Sequence, residues 1–294
     1  METFLHDMSW VPPLRSGILT PIFQGFTWLG YLPFFLIFLP LGYWLWNRSA
    51  FTRLAVLVAI SGILNSILKD FWQDPRPDLA FRMDGEVGTS FGLPSGHAQV
   101  ATVLWLWLAY EIRKPWAWGA AAIIVAGIGL SRLYLGVHDV EDVLAGTALG
   151  VGTLFLFAWV TTDRFDFWHN LTPTTHAATA LAAVPLLWLI WPGNPQSIGA
   201  IAFGGFLAGW LIGAHHHETT FALPLPESWW AKTIAGTTGV VGVFLIFEGL
   251  GNATDALGMG EIVGGTLSSF VLGLYMTLIA PALFKTARLS KQTA

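Results

Sequence analysis

The sequence predicts an all-α polytopic membrane bundle of about nine transmembrane helices, and three observations predict it. Charged residues make up only 11% of the 294 positions and apolar residues 54%, whereas soluble domains carry about 25% charged residues. Nine apolar runs approach the roughly 20 residues that cross about 30 Å of hydrocarbon. The few Lys and Arg cluster at the ends of those runs, as expected when helix interiors face lipid. A cytosolic globular enzyme, a nucleic-acid-binding protein and a disordered linker are all excluded by this composition, whose mean hydropathy is +0.60. A net charge of −4 offers no broad basic face for nucleic acid. The absence of cysteine removes disulfides, thiolate metal sites and thiol nucleophiles.

The runs fall near 24–46, 51–69, 97–112, 116–134, 140–161, 177–192, 197–214, 232–250 and 260–284. Residues 1–23 are too polar and too interrupted by proline for a secretory signal. Ile18, Leu19, Ile22 and Phe23 instead give this interfacial segment one apolar helical face. Residues 24–162 form the expected core, and 163–294 a C-terminal transmembrane extension. Gly205, Gly209 and Gly213 recur every fourth residue and predict close helix packing within the chain.

Threading the nine runs alternately puts Arg48, Arg53, Arg113, Lys114, Arg164, Lys232, Lys285, Arg288 and Lys291 on one side of the membrane. Arg15, Lys69, Arg76, Arg82 and Arg132 lie on the other. The positive-inside rule makes the first side cytoplasmic, with the N-terminus outside and the C-terminus inside. The expected location is a bacterial cytoplasmic membrane.

Three segments converge on the outer side: Lys69 to Pro77, Pro94 to His97, and Ser131 to Asp142. Lys69, Arg76 and Arg132 together make an anion site, and arginine presents planar paired donors suited to phosphate oxygens. Ser95, Gly96 and His97 open a helix whose N–H groups and positive dipole end face the same anion. His138 and Asp142 are four residues apart and share a helical face. A carboxylate on one ring nitrogen orients the other as a nucleophile, leaving His97 as proton donor to a leaving oxygen. The expected chemistry is phosphoryl transfer through a phosphohistidine, without metal or cofactor.

These residues and spacings resemble the type-2 phosphatidic acid phosphatase superfamily, with its Lys-x6-Arg-Pro, Pro-Ser-Gly-His and Ser-Arg-x5-His-x3-Asp motifs. Every motif position is filled, over about half the chain. The resemblance implies a six-helix-type phosphatase core in which Lys69, Arg76, Arg132, Ser95 and Gly96 hold phosphate. It also implies that His138 attacks phosphorus, Asp142 orients it, and His97 protonates the leaving group. The implied substrate is a membrane lipid phosphate or pyrophosphate in the bilayer. A water-soluble phosphoester, transfer to another lipid, and a catalytically silent lipid-binding or transport protein stand as alternatives. The extra C-terminal helices look like the glucose-6-phosphatase and sphingosine-1-phosphate phosphatase branches, which leaves the substrate open.

Other candidates have blander explanations. Asp70, Asp74 and Asp78 read as solvated loop residues or helix caps. Trp72 is a candidate lining residue near the site, and Arg82 a possible headgroup contact. His215, His216 and His217 point about 100° apart on a helix and so do not converge on one ion. No oligomeric state follows from the sequence.

Overall fold

The computed structural model describes residues 4–85, 87–161, 171–192, 196–217, 219 and 225–287. Arg164, Glu218, Arg288 and Lys291 lie outside the described residues. Among those described there is no strand. In chain order the main helices are α1 (Leu19–Trp28), α2 (Leu32–Leu45), α3 (Arg48–Trp72), α4 (Gly96–Ile112), α5 (Pro115–Tyr134) and α6 (Val140–Val160). They continue with α7 (Pro173–Ile190), α8 (Ala202–His216), α9 (Trp229–Ala256), α10 (Glu261–Leu274) and α11 (Ala280–Thr286).

Each of the nine expected runs contains a helix, with one change of form. The run at 24–46 is broken into α1 and α2, which meet at a 57° bend. Gly30 and Pro33 explain the break, since glycine weakens a helix and a residue preceding proline resists the helical conformation. Among the described residues seven helical spans are long and apolar enough to cross a membrane, and the bent pair, taken as one span, makes an eighth. The ninth, α4, has 17 residues, or about 26 Å at the usual rise. Such a helix reaches nearly across the hydrocarbon layer. The chain is an integral membrane protein.

Two compact units emerge, and they cut across chain order. The first comprises Met1–Phe35, Ile60–Thr162 and Trp191–Ile198; the second comprises Leu36–Ala59, Asp163–Ile190 and Gly199–Ala294. In the first, α4 packs against α5 and α6, and α1 packs against α5. Asn65 ties α3 to the start of α4, with Nδ2 donating to the Pro94 carbonyl at 3.1 Å and to Gln99 Oε1 at 2.9 Å. Asp70 is buried, in contrast to its expected solvated place. Its Oδ2 accepts from Trp191 Nε1 at 2.8 Å and from the amides of Gln196 and Ser197 at 3.1 and 2.9 Å.

In the second unit, α8 packs on α10 and α7. Side chains added at Gly205 and Gly209 would meet the carbonyl oxygens of Thr266 and Phe270 at 2.3 and 2.0 Å. A methyl at Gly213 would lie 2.1 Å from Thr277 Oγ1. The four-residue glycine spacing therefore works within one chain, letting backbones approach where a β-carbon would collide.

Candidate active site

Helix ends place the polar residues of the first unit. α3 stops where Gln73 adopts a left-handed conformation, φ +52°, so Lys69 lies in its last turn. Ser95 caps α4, its hydroxyl accepting from the Ala98 amide at 3.5 Å. The Ser95 amide is taken by the Asp142 carbonyl at 2.9 Å. The sequence expectation has that amide facing an anion together with those of Gly96 and His97; here it is already paired.

Asp139 caps α6 reciprocally with Asp142. The Asp142 amide donates to Asp139 Oδ1 at 3.0 Å, and the Asp139 amide donates to Asp142 Oδ2 at 3.3 Å. The same Oδ2 bonds His138 Nδ1 at 2.8 Å. Sequence spacing favoured Asp142 over Asp139 and Glu141 as the partner of His138, and the geometry agrees. Asp139 and Glu141 instead receive His6, at 2.7 and 3.0 Å.

With Nδ1 held by a carboxylate, His138 turns Nε2 toward Arg76 Nη1, 3.0 Å away. Burial, followed by the cations of Arg76, Lys69 and Arg132 and by His97, pushes His138 well below the usual imidazole range. The ring is therefore neutral at pH 7, with a lone pair on Nε2. Arg76 is itself lowered to about 10, by burial and then by Arg132, and stays a cation under these conditions. Arg132 and His97 both act electrostatically on His138.

The cations are held by named acceptors. Lys69 Nζ donates to the carbonyls of Phe91 and Gly92, the latter at 2.8 Å. Arg76 donates to the Ser90 carbonyl at 2.6 Å, to Ser90 Oγ at 2.9 Å and to the Val137 carbonyl at 2.8 Å. Arg132, 1% exposed, donates from Nη1 to Thr27 Oγ1 and to Asp84 Oδ2. His97 stands edge-on to Tyr31, with ring centroids 4.8 Å apart. Its close neighbour is Gly30, where a β-carbon would fall 2.2 Å from the imidazole. Among buried polar atoms without a hydrogen-bond partner are His97 Nε2 and Arg132 Nε.

Sequence reasoning missed Thr27, Tyr31, Asp84, Ser90 and His6. The break signal of Gly30 and Pro33 could have shown that Tyr31 lies outside a continuous span. Asp84 and Ser90 sit in a loop without periodicity, where no comparable signal exists. Trp72 is exposed, and Arg82 Nε donates to the Pro77 carbonyl at 3.0 Å. His217 is buried at the end of α8, against the Tyr43 ring at 6.3 Å. Among the described residues no group of three or more His, Asp or Glu is placed to hold a metal ion.

Membrane-spanning helices whose loops and ends carry a His–Asp pair, with an arginine on the free imidazole nitrogen, define the class as an integral membrane protein with a buried polar centre. Residues 50–166 match the PAP2 superfamily, and residues 201–292 match the PAP2 superfamily phosphatase, transmembrane extension. The chain is 31% identical over 156 residues to phosphatidylglycerophosphatase B of Bacillus subtilis, covering 49% of this chain and 75% of that protein. It is 26% identical over 238 residues to lipid phosphate phosphatase delta of Arabidopsis thaliana, covering 72% and 57% respectively. Sphingosine-1-phosphate phosphatase 2 of Mus musculus is 29% identical over 155 residues, covering 49% and 44%. The chain thus spans about half the length of the plant and mouse relatives. It belongs to the PAP2 superfamily.

Proposed function

We propose that this protein removes a phosphate group from a membrane lipid phosphate or pyrophosphate through a phosphohistidine at His138. The observation that carries the reading is the relay from Asp142 Oδ2 to His138 Nδ1 at 2.8 Å, with Nε2 facing Arg76 at 3.0 Å. A substrate phosphate oxygen would replace Nε2 as a partner of Arg76, freeing the lone pair where phosphorus arrives. Nε2 then bonds to phosphorus as the bond to the leaving oxygen breaks, and His97 Nε2 gives that oxygen its proton. Water hydrolyses the phosphohistidine with His97 accepting a proton, which restores both histidines. Lys69, Arg76 and Arg132 stabilise the charge on the transferring group, helped by the amides that open α4.

Relatives named for phosphatidylglycerophosphate, lipid phosphate and sphingosine-1-phosphate support a lipid substrate. The asymmetry of Lys and Arg between the two sides supports an outer-leaflet site. Purified protein should release phosphate in the presence of EDTA from one or more of undecaprenyl pyrophosphate, phosphatidic acid, phosphatidylglycerol phosphate, a lipid A phosphate and a sphingoid phosphate. Vanadate should inhibit release. His138→Ala should abolish turnover while leaving the protein folded; full turnover in that variant would overturn the reading.

A further inference from the structure

One nine-residue stretch, 84–92, supplies acceptors to all three cations of the site. Phe91 and Gly92 serve Lys69, Ser90 serves Arg76 twice, and Asp84 serves Arg132. Four of these five acceptors are neutral carbonyl or hydroxyl oxygens. Asp84 alone among them brings a carboxylate, with a side chain only 7% exposed. A single oxygen, Oδ2, accepts both from Arg132 Nη1 at 2.9 Å and from the Tyr31 hydroxyl. The Arg132 guanidinium carbon also lies 5.8 Å from the Tyr31 ring centroid, and that ring meets His97.

Resting on the phosphatase reading above, we infer that Asp84 is a positioning residue that fixes Arg132 and sets how firmly the centre retains phosphate. Thr27 and Asp84 together hold the Nη1 side of the guanidinium, and the Nε side is buried without a partner. Arg132 is thereby presented to an incoming anion in one orientation, which a long free side chain would not maintain. The carboxylate also offsets part of the charge of that guanidinium. Three cations in a poorly hydrated centre would hold inorganic phosphate tightly, because charge interactions strengthen away from bulk water. A fixed anion within hydrogen-bonding distance of one of them weakens that hold and favours departure of the product. Tyr31 tempers the effect by donating to the same oxygen.

The test measures inhibition by inorganic phosphate and by vanadate, together with separate kcat and KM values, in wild type, Asp84→Asn and Tyr31→Phe. The asparagine nearly keeps the shape and one acceptor oxygen while removing the charge and turning the other oxygen into an NH2 donor. It should lower the inhibition constant for both anions by about tenfold, since a lost buried counter-anion acts on binding more than on the chemical step. Tyr31→Phe exposes the full Asp84 charge and should raise those constants a few-fold. Either constant moving the opposite way, or neither variant changing anion inhibition, would overturn the inference. If Asp84→Asn does not fold, Tyr31→Phe alone still decides the sign. Absence of both phosphate release and vanadate inhibition in wild type would instead overturn the phosphatase reading, and this inference with it.

Discussion

In the first unit the interior is charged, whereas in the second it is shaped. Lys69, Asp70, Arg132, Asp139 and Asp142 are all buried in the first, with His138 among them. Among the described residues of the second, no Lys, Arg, Asp or Glu is buried; His217, Thr254 and Thr277 are its buried polar residues. Buried charges are costly unless each finds a partner, and the first unit provides partners through helix caps and loop carbonyls. The second achieves tight packing with glycine, at positions where backbone meets backbone. The two regions therefore respond to different kinds of damage: loss of a partner in one, gain of a methyl group in the other.

The sharpest way to break this contrast is Asp142→Asn. It nearly preserves shape while removing the carboxylate that orients His138, and turnover should fall by about 10³ to 10⁴-fold, as when a catalytic histidine loses its orienting carboxylate. A steady-state assay on folded protein checks it; a loss below about tenfold would show that the carboxylate is dispensable. Next comes Gly209→Ala in the second unit. The added methyl falls within 2.0 Å of the Phe270 carbonyl, and overpacking of this kind costs about 1–3 kcal/mol. Thermal unfolding in detergent should show that loss, with KM unchanged in the folded fraction. If KM moved with stability, the division between chemistry and packing would fail.

The smallest effect tests the edge of the charged unit. His6 bonds Asp139 and Glu141, and its pKa is raised above the ordinary imidazole value, chiefly by the hydrogen bond to Asp139. A raised histidine stabilises fully below its unfolded value of about 6.5 and loses that contribution as pH climbs through the folded value. His6→Ala should therefore lower Tm at pH 6 and leave it unchanged at pH 9. Since the side chain is 39% exposed, the loss should stay within about 1 kcal/mol. Equal losses at both pH values would mean that the contact works by packing alone.

Legibility in the sequence followed the same divide. In so apolar a chain a cation is conspicuous: Lys69 and Arg132 stand in the last turns of α3 and α5, and Arg76 in the loop that follows α3. The His138 and Asp142 pairing was legible, but for a reason the structure corrects: His138 precedes α6 rather than sharing a helical face, and the capping box of Asp139 with Asp142 turns the first-turn carboxylate back to the imidazole. The Gly205, Gly209 and Gly213 spacing was legible for a periodic reason. Acceptors were not. Asp84 and Ser90 reach their cations through a loop whose path depends on tertiary packing, and Thr27 and Tyr31 were hidden in an apolar run that looked continuous. Asp70 resembled a solvated loop residue until Trp191, Gln196 and Ser197, more than 120 residues away, supplied its donors.

Asp142 both closes the capping box of α6 and holds His138, so in the proposed mechanism one carboxylate oxygen serves secondary structure and chemistry at once. Fraying of a single helical turn would release the imidazole to rotate and disarm it, with the rest of the bundle intact. Competence is then gained at the moment that turn winds, and an agent that loosens this one corner could silence the protein without unfolding it.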